Sequence, residues 1–142
     1  MTRMTRDQAV AKLAAGIQAD LAASSTLLDL LERQFDAALR HRTVQLGELA
    51  GQLMPALDAM EQRRAQRVSL VRALLGPDGD MAQLIASLAA PSRAAFAADW
   101  QALEQMVLEC KRLNARNSAL LTEQFSIMQR VLHGEEQIYA PR

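Results

Sequence analysis

Residues 7–39, DQAVAKLAAGIQADLAASSTLLDLLERQFDAAL, decide the fold class. Val10, Leu13, Ile17, Leu21, Leu28, Leu31 and Phe35 recur at three- and four-residue steps, with Ser24 filling the missing position. A stripe at that spacing lies along one side of an α-helix and has nearly coiled-coil periodicity. At 1.5 Å per residue the helix would be roughly 50 Å long, more than a small globule needs.

Downstream, Arg40, His41, Arg42 and Thr43 break the rhythm, and Thr43 can cap a new helix. The stripe resumes at Leu46, Leu49, Leu53, Leu57 and Met60, then Val68, Val71, Leu74 and Leu75. Pro55 lies inside this set and removes one backbone donor. The spacing therefore predicts a hairpin at 40–43, with a turn near Pro55 as the rival. Gly76-Pro77-Asp78-Gly79-Asp80 is a helix stop followed by a cap, which predicts a short helix over Met81–Leu88. Ala90-Pro91-Ser92 is a second break, with Ser92 as the expected cap of a last helix from about Arg93 to Leu132, ended by Gly134. The expected fold is all-α: an elongated antiparallel helical bundle or coiled-coil hairpin of about three long helices plus one short one. Residues 1–134 read as a single helical domain and 135–142 as a flexible tail.

Composition agrees. The chain has 142 residues, room for one domain. Ala contributes 26 and Leu 22, against 15 Val, Ile and Thr together, a balance that favours helix over strand. Only 4% of residues are aromatic, so much of the core must be Leu packed against Ala. Sixteen basic and sixteen acidic residues cancel, which argues against nucleic-acid binding, where a net basic face supplies most of the affinity. One cysteine, Cys110, cannot form an internal disulfide and fits a reducing compartment. Asp7, Gln8 and Lys12 interrupt any secretory apolar run, and no window has the continuous apolar length of a membrane span. The expected location is the cytoplasm.

Catalytic chemistry finds no footing. His41 and His133 have no partner at a metal-ligand spacing. Neither RTVQL after His41 nor GEEQI after His133 fits the stretch that follows a phosphotransfer histidine. Cys110 falls in the apolar seam and reads as a small core residue. Arg63, Arg64, Arg67 and Arg72 read as a solvated face paired with Glu61 or with the facing helix. No cofactor is expected.

The last helix is more informative. Asn114 and Asn117 follow Cys110 on the expected seam, where a buried amide weakens packing but fixes register. Beyond them Leu120, Leu121, Phe125, Ile127, Met128, Val131 and Leu132 span more than one face. A single seam cannot bury them all: either they lie under another helix, or some form a groove for a partner. Heptad continuity from Trp100 assigns Leu121 and Met128 to the seam and leaves Phe125 and Leu132 at its flank.

The order of these features resembles the FlgN family of flagellar type III export chaperones. LLDLLERQFDAAL in the first helix precedes an Arg-rich stretch and ALLG, then SLAAPSRAAFAADWQAL, then LECKRLNARNSALL, which is similar to the family's N-x-x-N stretch. Tyr139 resembles a tail tyrosine of that family. Ser118 and Ala140 stand where the family often has Gly, and Pro55 interrupts what should be continuous helix. The resemblance implies a cytosolic chaperone of the hook-associated proteins FlgK and FlgL that delivers them to the export gate FlhA. It implies a client surface at Leu121, Phe125, Met128 and Leu132 and a gate contact at Tyr139. Two other readings use the same seams or histidines: a structural coiled-coil scaffold that self-associates, and a helical phosphotransfer domain.

Overall fold

Thr5 opens the first helix with a reciprocal cap: its hydroxyl accepts from the Gln8 N–H, and the Gln8 side chain accepts from the Thr5 N–H. In the computed structural model, which describes residues 4–139 and side chains as far as Gly134, four helices follow one another. They are α1 (Arg6–Leu39), α2 (Thr43–Leu75), α3 (Met81–Ala86) and α4 (Ala90–Tyr139). No strand occurs among the described residues, and no helix there is long and apolar enough to cross a membrane.

The chain reverses at 40–43, not at Pro55. The Arg42 N–H donates to Ala37 O at 2.9 Å and the His41 N–H to Ala38 O at 3.2 Å, which closes α1 in a Schellman turn. That turn needs a left-handed residue, and His41 takes the conformation with φ 55° where glycine is usual. Thr43 is the first helical residue of α2 and not its cap; the cap position falls on Arg42, whose side chain makes no capping bond. Pro55 sits inside α2, which runs on without a break.

At the other end Gly76, with φ 96°, terminates α2. A Cβ on Gly79 would lie 2.5 Å from the Leu75 Cβ, so the turn closes only around a bare Cα. Asp80 caps α3 as its position predicts, with Gln83 returning the bond. The short helix stops at Ala86 and not at Leu88. α4 starts at Ala90, before Pro91, so Ser92 is not its cap. Proline fits here because a first-turn N–H has no partner within the helix. Nor does Gly134 end α4: it stays out of the left-handed conformation that stops a helix, and α4 continues to Tyr139. Gly in a helix interior lowers stability by only about 1 kcal/mol, which does not force a stop.

The three long helices run up, down and up, so sequence neighbours are antiparallel while α1 and α4 are parallel. α1 packs against both α2 and α4, whereas α2 and α4 make no backbone approach to each other among the described residues. Two apolar clusters result. Leu13, Ile17, Val71, Leu84, Phe96 and Leu103 pack near the α3 end. Leu27, Leu30, Leu31, Leu49, Leu53 and Leu113 pack near the hairpin.

Between the clusters α1 presents Asp20 and Ser24, both fully buried. Arg63 and Arg67 of α2 both donate to the Asp20 carboxylate, Arg67 at 2.8 Å. Arg67 also lies over the Trp100 ring of α4, 5.4 Å from its centroid, so the cationic side chain links all three long helices. The basic stretch therefore pairs partly with the facing helix and partly, through Arg64 and Glu61, within α2.

Two outcomes follow. Asp20→Ala would leave Arg67 largely buried without a counter-charge and should lower unfolding free energy by about 3 kcal/mol or more, read by urea denaturation. His41→Gly removes the left-handed penalty at the hairpin and should raise the same quantity by roughly 1 kcal/mol.

Candidate functional site

The two asparagines of the expected seam separate. Asn117 is buried; Asn114 is exposed, one helical turn earlier, with its side chain toward a groove between α2 and α4. The Asn117 amide donates to Leu31 O at 2.8 Å and to the Gln34 side chain at 2.9 Å, both on α1. Its own oxygen accepts from Arg116 Nε. Arg116 covers the Phe35 ring at 3.8 Å from the centroid and lies 3.2 Å from the Glu32 carboxylate.

Asn117 belongs to a row. Cys110 points its thiol at Ser24 O, 3.9 Å away, and Gln124 donates to Ala38 O at 2.8 Å. The α4 positions 110, 117 and 124 step by seven, as do the α1 positions 24, 31 and 38. Each α4 side chain meets an α1 carbonyl, whose second lone pair can accept a bond beside the helical one. Burial, and secondarily the nearby Glu109 carboxylate, pushes the Cys110 thiol above its ordinary pKa, as expected of a packed thiol and not of a nucleophile. Gln124 was not singled out in the sequence; the seven-residue step from Asn117 was the signal that could have found it.

Past Gln124 the bundle ends and α4 continues alone. From residue 125 to Tyr139 it projects roughly 20 Å beyond its last bond to the hairpin, at 1.5 Å per residue. The four expected client residues divide there. Leu121 is half-buried where α4 leaves the bundle. Phe125 is 56% exposed, Met128 50% and Leu132 51%. Met128 is thus not in a seam, because α1 has already turned back at His41 and no helix remains beside it. Ile127 and Val131, on an adjacent line of the same helix, are equally uncovered, so beyond Leu121 the apolar side chains do not pack on the bundle. Phe125 through Leu132 form an apolar surface that wraps much of one free helix. Tyr139 is the last helical residue, and its side chain lies outside the described residues.

This surface is apolar, of the kind that adheres to another apolar surface. Among the described residues no group of three or more His, Cys, Asp and Glu could hold a metal ion. His41 lies in the hairpin turn and His133 on the projecting part of α4, far along the chain from each other.

The family model described as FlgN protein matches residues 1–134. Tyr139 lies beyond the matched range. No curated protein and no solved structure matches the chain.

The burial contrast between the asparagines has a direct check. Asn117→Ala should lower unfolding free energy by about 1–3 kcal/mol, because the hydrogen bonds of a buried amide are lost. Asn114→Ala, at an exposed position, should change it by less than about 0.5 kcal/mol. Chemical denaturation of the two variants side by side reads the difference.

Proposed function

The chain belongs to the FlgN family, and from that premise we propose that it is a cytosolic flagellar export chaperone that binds the hook-associated proteins FlgK and FlgL and delivers them to the export gate FlhA. The observation that carries this reading is the projecting part of α4, where the apolar side chains from Phe125 to Leu132 are exposed. Burial of a side chain such as Phe or Leu stabilises by roughly 1.5–3 kcal/mol, so exposing several at once on one helix is costly unless a partner covers them. A helix with a free apolar surface can cover an amphipathic segment of another protein by coiled-coil packing. Met128 adds an adaptable contact, since its unbranched side chain accommodates differently shaped neighbours. Binding of this kind holds a client apart from its own copies and involves no catalytic step.

Within this reading Leu121, Phe125, Met128 and Leu132 touch the client and Tyr139 touches the gate. Asn117 has a supporting role. It keeps α4 in register on α1, so the projecting part begins at the same residue in every molecule. Displacement of α4 by a residue would strand its amide away from Leu31 O and Gln34.

Replacing Phe125 and Leu132 together with Ser should weaken binding of FlgK and FlgL at least tenfold, measured by titration of each client. Helical content by circular dichroism should stay near that of the unaltered chain, since both residues are already more than half exposed. Client affinity within threefold of the unaltered chain would remove the surface from the proposal. In the same preparation Tyr139→Ala should retain both clients and lose capture by FlhA.

A further inference from the structure

α2 is held in two different ways along its length. From Arg63 onward it is tied by charge: Arg63 and Arg67 both donate to the buried Asp20 carboxylate of α1, and Arg67 lies over the Trp100 ring of α4. Val71, with Leu70 and Leu74 beside it, packs into the cluster at the α3 end. Residues 43–60 have no such tie. Beyond the backbone bonds of the hairpin, no hydrogen bond or ion pair joins them to α1 among the described residues. They rest on Leu49 and Leu53, both buried, with Leu46, Ala56 and Met60 partly so. Leu53, Leu57 and Met60 border the open groove, so α4 gives this section no backbone support.

The same section is a poor helix in its own right. Arg42 at its cap position makes no side-chain bond, and no acidic residue stands in the first turn. Gly47, Gly51 and Pro55 follow at four-residue steps on the exposed side. Glycine gains the most freedom when a helix unwinds. Pro55 has no N–H, so the Gly51 carbonyl loses its partner four residues on. Packing demands neither glycine: a Cβ at 47 or 51 would meet nothing within 4 Å. What the three residues share is that each makes the unwound state easier to reach. We propose that residues 43–60 open away from α1 as a separate unit, parting from the clamped remainder of α2 between Pro55 and Arg63, while α1 and α4 stay joined through Asn117 and Gln124. Opening uncovers Leu27, Leu30 and Leu31 of α1, which pack with Leu49 and Leu53 in the closed state. The cluster at the hairpin thus has a covered and an uncovered state, and neither needs anything bound at the projecting part of α4.

Backbone hydrogen exchange of the full chain tests this, read peptide by peptide by mass spectrometry and corrected for intrinsic rates. Amides of residues 46–60 should exchange at least tenfold faster than those of residues 62–75. Their rate should also rise less steeply with urea below the unfolding transition, because a local opening exposes less surface than global unfolding. Gly47→Ala combined with Gly51→Ala should slow exchange over 46–60 about tenfold or more, since both alanines favour the closed helix. Gly16→Ala is the control. It lies inside α1, where a Cβ also meets nothing within 4 Å, and α1 stays helical in the opened state. It should therefore slow 62–75, which exchanges by global unfolding, about fivefold and leave 46–60 unchanged. Equal exchange along the whole of α2, or no slowing in the double alanine variant, overturns the proposal. So does a Gly16→Ala chain in which 46–60 slows as much as 62–75, for the section would then open only with the whole fold.

Discussion

Among the described residues only α1 brings its backbone close to both of the other long helices, so the fold depends on how α2 and α4 are each held against it. Leucine packing supplies most of the attraction but little specificity, because one leucine layer resembles the next and a helix can slide by a heptad at modest loss. The polar contacts remove that freedom. Toward α2, the Asp20 carboxylate can be satisfied only where Arg63 and Arg67 converge. Toward α4, Asn117 and Gln124 reach carbonyls of α1 at matched seven-residue spacing. A slip of α2 would leave the buried Asp20 charge without its partners, and a slip of α4 would part Asn117 from Gln34 and Arg116 from Glu32 and Phe35, at a loss of about 1–3 kcal/mol for a buried neutral group and more for a charged one. Apolar burial thus sets the strength of the bundle, and a few polar groups set its alignment.

The architecture was legible in the sequence because its signals are local. The stripe over 7–39, the interruption at 40–43 and the Gly76-Pro77 stop each depend on a few adjacent residues, and they correspond to α1, the hairpin and the end of α2. Pro55 was the doubtful signal, and tertiary packing on α1 overrides it. The polar layer was less legible. Tracing the first helix through Leu21 and Leu28 passes beside the buried line, which runs through Asp20, Ser24 and Leu27. Stepping strictly by three and four from Leu13 and Ile17 arrives at Asp20, and a carboxylate at a seam position was the clue. An acidic residue amid small apolar neighbours draws less notice than a missing leucine.

The site was readable in outline only. An apolar surplus near the end of α4 follows from composition, since Phe125 to Leu132 carries more apolar residues than one seam accepts. The assignment of Met128 to the seam does not survive, because it assumed a neighbouring helix all along α4. Where α1 turns back relative to α4 is a matter of register, and register lies in the pairing of Leu31 with Asn117 and of Ala38 with Gln124, contacts more than eighty residues apart in the chain. The same nonlocality explains the asparagines: they are one turn apart, and only the angle at which α4 faces α1 decides which is buried. The groove beside Asn114 was beyond sequence reading for a related reason, as it exists only because two helices whose backbones stay apart share a third.

The continuity of α4 across the rim of the bundle alters the kinetics of recognition there. Starting a helix from coil is the unfavourable step, with a nucleation constant on the order of 10⁻³, whereas adding a residue to an existing helix is close to neutral. The packed turns from Phe96 to Gln124 act as a permanent seed, so turns beyond them can melt and re-form without renucleating. Gly134 lowers the local helix propensity, which makes the outer turns the cheapest to unwind. In the proposed chaperone role, a client reaching Phe125 would meet a surface already folded, and farther out one that can unwind and rewind around it. Under that proposal, capture and release would proceed by zipping and unzipping from one fixed end, without disturbing the bundle that holds it.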